Sequence, residues 1–349
     1  MTTRPRLTPA IANVRTAVRS AIVPLMTSFV EKRQGTEPSV HDPATAVLVL
    51  VALSGGPDSL ALAAATAFET KRLVGAVAGA VVVDHGMQEG SAEVAERAAQ
   101  QARDLGLDPV IVKRVEVGTA GGPEAAARTA RYAALAEAAA ETGAHRVLVG
   151  HTLDDQAETV LLGLGRGSGQ GSIKGMAPES GIFLRPLLQL RRATTIQFCI
   201  DSGLEPWHDP QNDDERFARV RVRTTVLPML ERELGPGFAE ALSRTAWLAR
   251  EDTEALDAFA LEQLEELAEH AEAGISLPVR ALAANPPALR QRIIRMTVAA
   301  EFGVSLSRQH TLEVVRLVTD WSGQDALDLP GIKVERQGGL LIFSSIREP

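Results

Sequence analysis

The chain has 349 residues, 45% of them apolar, enough for two globular domains that each bury a core. Its 44 acidic residues outnumber its 36 Lys and Arg, giving a net charge of −8, so a uniformly basic surface for nucleic acid is excluded and any phosphate contact must rest on local charge. The single cysteine, Cys199, excludes an internal disulfide framework and reads as a core residue, and no apolar run is long enough to span a membrane.

From the N-terminus, residues 8 to 28 predict an amphipathic helix with Ile11, Val14, Val18, Ile22 and Leu25 on one face, followed by a polar linker from Glu31 to Pro43. No signal-peptide cleavage pattern is present, so a cytoplasmic address is expected. Strand-like runs follow at 46–53, 74–84, 110–117 and 146–150, separated by helical stretches at 57–70, 90–105, 121–142 and 153–164. This alternation predicts an α/β fold, a doubly wound parallel sheet whose ligand sits at the carboxyl ends of the strands. From Glu231 onward the pattern turns mainly helical, with Phe238 to Leu267 as one stretch, a break at Asn285-Pro286-Pro287, and a short β-like tail at Ile332 to Val334 and Leu340 to Phe343. The expected domains are 1–43, a helix and linker; 44–230, the nucleotide-binding domain; and 231–349, a smaller helical domain.

Charge along the chain is uneven. Residues 251–272 hold nine acids and no Lys or Arg, whereas residues 1–33 carry a net +5 and residues 280–316 a net +4, including Arg290, Arg292 and Arg295. Such runs are usually solvated helix faces.

Three segments carry chemistry. Ser54-Gly55-Gly56-Pro57-Asp58-Ser59 joins the apolar run Ala46 to Leu53 to a helical face of Leu60, Ala63, Ala64 and Phe68. Two glycines let successive N–H groups converge on an anion at a helix N-terminus, Pro57 suits the first turn, and Ser54 and Ser59 offer hydroxyls. Asp58 is a contact for Mg²⁺, an organiser of the loop, or a helix cap. The spacing and lysine of a Walker A loop are absent.

The second segment is His151-x-x-Asp154-Asp155-x-x-Glu158 at a helix start, where Asp155 and Glu158 share a face. It reads as a capped acidic first turn, a metal site, or a receptor for an ammonium group. Five glycines between Gly163 and Gly171 then suggest a mobile loop. The third segment, Phe217 to Arg223, has alternate arginines that look strand-like but place Arg219 and Arg223 on one face if helical. Arg128 and Arg131, on the preceding helical stretch, suit bidentate phosphate contact.

Ser54 to Ser59 resembles the signature of the PP-loop ATP pyrophosphatases. Val83-Asp84-His85-Gly86, Glu124 with Ala127 to Tyr132, His151 to Thr159, Arg185-Pro186-Leu187-Leu188 and Trp207 to Asn212 are similar, in order and spacing, to segments of the tRNA(Ile)-lysidine synthetases. Val220, Gln88 and Ile173-Lys174 depart from that pattern. The resemblance implies a PP-loop, Rossmann-like catalytic domain and the ATP-dependent ligation of L-lysine to C2 of the wobble cytidine of CAU-anticodon tRNA(Ile), through an adenylated tRNA with release of pyrophosphate and AMP. It implies catalytic roles for Asp58, Arg128, His151, Asp155 and Glu158, with the last two tied to the substrate lysine. ATP is assigned to Ser54, Gly55, Gly56, Pro57, Asp58, Ser59, Asp84 and His85, and Mg²⁺ to Asp58. No membrane partner is expected, and a homodimer is left open. The alternatives are a tRNA thiolase, against which the lone Cys199 argues, a small-molecule adenylating enzyme, and a catalytically silent RNA-binding protein.

Overall fold

The computed structural model describes residues 7–32, 46–86, 90–118, 122–167, 170–271 and 274–346. The linker beyond Lys32, Gln88, and Ser168 with Gly169 lie outside the described residues. Two compact units are present, residues 1–247 and 248–349, and no described helix is long and apolar enough to cross a membrane.

In the first unit α1 (Pro9–Lys32) precedes an alternating run: β1 (Val47–Ala52), α2 (Pro57–Thr70), β2 (Ala76–Asp84), α3 (Ser91–Leu105), β3 (Val110–Arg114), α4 (Pro123–Thr142), β4 (Arg146–Val149) and α5 (Leu153–Gly165). After the short α6 (Gln170–Ile173), the strands β5 (Glu179–Ser180) and β6 (Phe183–Leu184) form a hairpin, and α7 (Arg192–Ser202) follows. The sheet order is β3-β2-β1-β4-β6-β5, parallel throughout except for β5. The chain leaves β1 toward β2 and β3, then returns by α4 to place β4 on the other side of β1. That reversal makes β1 the switch point, beside which open sheets of this kind form their ligand crevice.

The period of two along β1 assigns its faces. Val47, Val49 and Val51 pack with residues of α1, α2, α3 and α7, while Leu50 and Ala52 pack with Leu135, Ala138 and Ala139 of α4. The N-terminal helix belongs to this core, with Val14, Val18 and Ile22 fully buried. Its Arg15 and Arg19 Nε atoms lie 2.8 and 2.7 Å from the buried carboxylate of Glu69 on α2. Part of the basic charge of residues 1–33 is therefore spent on docking α1.

Glycine at 163 does not belong to a mobile loop. Gly163 is buried within α5, and a Cβ there would stand 2.8 Å from the Ser172 carbonyl oxygen, so the residue permits α6 to pack closely.

After α7 come a 3₁₀ turn (Pro210–Asp213), α8 (Ala218–Arg221), a π-helical segment (Val222–Val226) and α9 (Leu227–Leu234), so the arginine-rich stretch is helical. The break between units falls within α10 (Phe238–Leu267), later than residue 231, because Ala239, Leu242 and Ala246 pack with Leu153, Ala157 and Val160 of α5.

The second unit adds β7 (Glu269–Ala271), β8 (Gly274–Pro278), α11 (Val279–Ala284), α12 (Pro287–Phe302), α13 (Arg308–Thr319), β9 (Leu327–Leu329), β10 (Ile332–Gln337) and β11 (Leu340–Ser345). The β-like tail is thus two strands of a five-stranded antiparallel sheet, order β7-β8-β11-β10-β9. Leu277, Leu282, Ile293, Val314 and Phe343 fill its core with the helices. Arg290 is a structural member of it: the buried guanidinium donates to the carbonyls of Leu282, Ala283 and Asn285 at 2.9, 3.0 and 2.8 Å, closing the end of α11.

Candidate active site

The turn after β1 is built without bulky side chains. Gly55 has φ +81°, a left-handed conformation that favours glycine, and its carbonyl accepts a 2.8 Å bond from the Trp207 N–H. Gly56 caps α2 with no side-chain bond, and Pro57 opens the helix. The Ser59 hydroxyl accepts from Ser54 N–H at 3.2 Å and donates to Gly56 O at 3.0 Å, so it closes the loop on itself, and the hydroxyl of the exposed Ser54 lies 3.1 Å from it. Gly150, at the end of β4, lies against this turn: a Cβ there would sit 3.1 Å from the Asp58 carbonyl carbon and 3.2 Å from Ser59 Cα.

A cavity of about 560 Å³ opens beside the loop at the carboxyl ends of β1 and β2. Its walls bring together segments far apart in the chain: Ser54 and Gly56 of the loop, Asp84 and His85 after β2, Arg128 and Arg131 of α4, Trp207 and Asp209, and Arg219 and Arg223. Apolar surface from Ala52, Val81, Val83 and Leu135 adjoins the arginines, so one region suits a base or ring and another an anion.

The electrostatics favour an anionic occupant. Burial lowers the pKa of Arg131, and the neighbouring Arg128 lowers it further, two cations being held side by side. Burial also depresses His85, again with help from Arg131, so its imidazole is neutral at pH 7; its Nδ1 is buried with no hydrogen-bond partner among the described residues. Burial opposes ionisation of Asp84, yet the Gly86 N–H at 2.9 Å and the Ser91 side chain outweigh it and hold the carboxyl below its ordinary range. Arg185, anchored to the Ala177 carbonyl at 2.8 Å, and Arg128 both approach the Tyr132 hydroxyl.

Asp58, His151, Asp155 and Glu158 are not in the cavity wall. Asp155 is the third residue of α5 and completes a capping box with Thr152 at the N-cap, its Oδ2 accepting from both the N–H and the hydroxyl of Thr152 at 2.8 Å. Its other oxygen takes Arg192 Nη2 at 2.7 Å. Glu158, fully buried, takes Arg223 Nε at 2.7 Å and Arg192 Nη1 at 3.4 Å, with Arg219 Nε at 3.7 Å. Burial pushes Asp155 up, but Arg192 and the two bonds from Thr152 overcome it and the carboxyl lies below its ordinary range. His151 is buried beside Asp155, Arg131 and Arg185; burial drives its pKa down, leaving a neutral ring whose Nδ1 has no hydrogen-bond partner among the described residues. Of the three sequence readings of this segment, the capping geometry is present and the acids face arginines.

Asp58 has both oxygens engaged, Oδ2 by Arg192 Nε at 3.2 Å and Oδ1 by the Thr195 hydroxyl. Burial raises its pKa, against the pull of Arg192 and Thr195. With that bonding it does not fit the role of a protein ligand to Mg²⁺, and among the described residues no group of three His, Cys, Asp or Glu could hold a metal. Cys199 lies under the same turn, its Sγ 3.4 Å from the Pro57 carbonyl and its thiol pushed up to about 12 by burial and the charge of Asp58.

Reasoning from sequence missed Arg192 and gave no role to Trp207, Asp209, Gln211 and Asn212 individually, although all four line the cavity. A signal for Arg192 existed: three carboxylates at Asp58, Asp155 and Glu158 that converge below one strand edge require a buried counter-charge.

Residues 30–230 match the family model of the PP-loop domain, and residues 277–341 match that of the TilS substrate binding domain. A tRNA(Ile)-lysidine synthase of Leifsonia xyli subsp. xyli is 64% identical over 304 residues, covering 87% of this chain and 91% of that protein. Its counterpart in Thermobifida fusca is 49% identical over 341 residues, covering 97% and 98%. Among solved structures, the U34-tRNA thiolase NcsA of Methanococcus maripaludis superposes with a TM-score of 0.52 at 17% identity over 68% of this chain and 78% of that one, a likeness of fold alone. Identity of this extent, running through both the loop-bearing unit and the C-terminal sheet, has one consequence: the chain belongs to the tRNA(Ile)-lysidine synthase family.

Proposed function

We propose that this chain ligates L-lysine to C2 of the wobble cytidine of a CAU-anticodon tRNA(Ile), using ATP. The carrying observation is a cavity at the carboxyl ends of β1 and β2 lined both by Ser54 and Gly56 of the turn and by Arg128, Arg131, Arg219 and Arg223. In the first step the oxygen on C2 attacks the α-phosphorus and pyrophosphate leaves. In the second the lysine ε-amine attacks C2 and AMP leaves with that oxygen.

The N–H groups of Gly55, Gly56, Asp58 and Ser59 cradle the phosphates, with the Ser54 hydroxyl as a further donor. Arg128 and Arg131 balance charge that grows on the α-phosphate. Asp84 and His85 face the nucleoside. Asp58 has both carboxylate oxygens committed to Arg192 and Thr195 and acts on the turn rather than on a metal cation. The lysine amine attacks only when free of its proton. Asp155 and Glu158 act through the arginines they hold, while the acids in the cavity wall itself are Asp84 and Asp209.

A sulfur-transfer reading is disfavoured because Cys199 is buried and its thiol is held far from ionisation. The test is incubation of the chain with ATP, isotope-labelled lysine and a CAU-anticodon tRNA(Ile), then mass analysis of the nucleosides. A labelled cytidine-lysine adduct at the wobble position is expected. Label that stays out of the tRNA refutes the proposal.

A further inference from the structure

We infer that Arg192 is a positioning residue for nucleotidyl transfer: it fixes Arg219 and Arg223 relative to the Ser54–Ser59 turn. The inference rests on the reading of the cavity as the ATP site.

Each nitrogen of the Arg192 guanidinium is assigned to its own carboxylate, one on α2 and two on α5. Nε meets Asp58 Oδ2 at 3.2 Å on the first turn of α2, Nη2 meets Asp155 Oδ1 at 2.7 Å on α5, and Nη1 meets Glu158 Oε1 at 3.4 Å one turn later. The hub is itself held: Asp154 accepts the Arg192 N–H at 2.7 Å and pairs with Arg191 at 3.0 Å, and Arg191 reaches Glu240 at 2.7 Å. Glu158 then passes the register on, taking Arg223 Nε at 2.7 Å and lying 3.7 Å from Arg219 Nε. Both of these arginines line the cavity, and Asp58 belongs to the phosphate turn, so the two ends of the network are the two walls of one site. Three carboxylates (Asp58, Asp155, Glu158) meet three guanidiniums (Arg192, Arg219, Arg223), and the charges cancel.

A buried ionic network contributes little to stability compared with apolar packing, but it is stiff and directional. Only a planar fork of donors can hold three acceptors at set angles; an ammonium group keeps the charge and loses the geometry. The π-helical segment that carries Arg223 is the kind of local irregularity that re-aims a side chain, and it gives Glu158 a partner it can orient.

The experiment uses the full chain with ATP and tRNA(Ile) transcript, without lysine, and reads pyrophosphate release in a single turnover. Arg192→Lys is expected to keep a near-normal melting temperature and an ATP KM within about threefold, while the rate falls about 100-fold, the usual cost of misplacing groups by about 1 Å. Combining it with Arg223→Lys should cost little more than the larger single loss, because one residue acts through the other. Arg192→Gln unbalances the buried acids, and adding Asp58→Asn should restore folding without restoring the rate.

A normal rate in Arg192→Lys, multiplying losses in the double variant, or recovery of the rate in Arg192→Gln with Asp58→Asn would each overturn the positioning role alone. Absence of pyrophosphate release from the unsubstituted chain would overturn the ATP-site reading as well.

Discussion

Replacing Gly150 by alanine tests whether the phosphate turn is held rigidly from below. The residue has no side chain to lose and lies behind the turn, so any effect comes from the added methyl group. A Cβ at this position meets the Asp58 carbonyl carbon at 3.1 Å, its oxygen at 3.2 Å and Ser59 Cα at 3.2 Å. Ordinary contact begins at 3.4 Å, so the start of α2 or residue 150 must move by about 0.3 Å. Neither has a flexible tip that can swing aside, since all three atoms are backbone. Overpacking of this kind costs about 1–2 kcal/mol. If a 1 Å misplacement costs about 100-fold, 0.3 Å costs about fourfold in kcat/KM for ATP. The assays are urea unfolding and lysine-independent pyrophosphate release. Gly165→Ala is the control: nothing lies within 4 Å of its Cβ, and alanine in the last turn of α5 should add up to about 1 kcal/mol with no change in rate. Unchanged stability and rate in Gly150→Ala, or a loss of about 100-fold, would refute a turn that is packed tightly and yields only slightly.

Asp155→Asn and Glu158→Gln are expected to lower pyrophosphate release in the absence of lysine, because each releases an arginine; a selective rise in the lysine KM would instead assign these acids to the amine. Glu69→Gln should lower unfolding free energy by about 2 kcal/mol at pH 7, a figure reduced for the partial exposure of Arg19, by leaving Arg15 and Arg19 unpaired. Burial opposes ionisation of Glu69, but hydrogen bonds and charge from Arg19 and Arg15 win and lower its pKa from 4.5, so its contribution is full above that value and is lost as pH falls through the lower folded one. Unfolding of the two forms should therefore converge in acid, and a difference that persists at pH 2 would refute the ion-pair account. Arg290→Gln should destabilise the C-terminal unit by about 2 kcal/mol through the carbonyls it leaves unpaired, and the salt dependence of tRNA binding should not change. A flatter salt slope would make Arg290 an RNA contact.

Local pattern made most of the first unit legible. Predicted strands at 46–53 and 74–84 correspond to Val47–Ala52 and Ala76–Asp84, and the predicted helix at 57–70 matches Pro57–Thr70. These elements are long and periodic, and Gly and Pro mark their ends. The two-residue strands β5 and β6 have no period to read, β7 and β9 are three-residue strands paired with their chain neighbours β8 and β10, and β8 takes its second partner, β11, from far along the sequence. The phosphate turn was legible because a small set of residue types satisfies its backbone geometry.

By itself the sequence determined the parallel α/β architecture, the place of the phosphate turn, and the grouping of residues after strand ends into one crevice, since all of these follow from periodicity and from what glycine and proline permit locally. Tertiary structure alone decided the employment of the charged side chains. Asp58, Asp155 and Glu158 look like free acids along the chain, but burial makes an uncompensated carboxylate too costly, so each closes on Arg192 or Arg223 from a remote helix. Arg290 looks like part of a basic patch and is a buried cap. Which ions pair is a property of three-dimensional proximity and desolvation, and neither quantity is written in the order of residues.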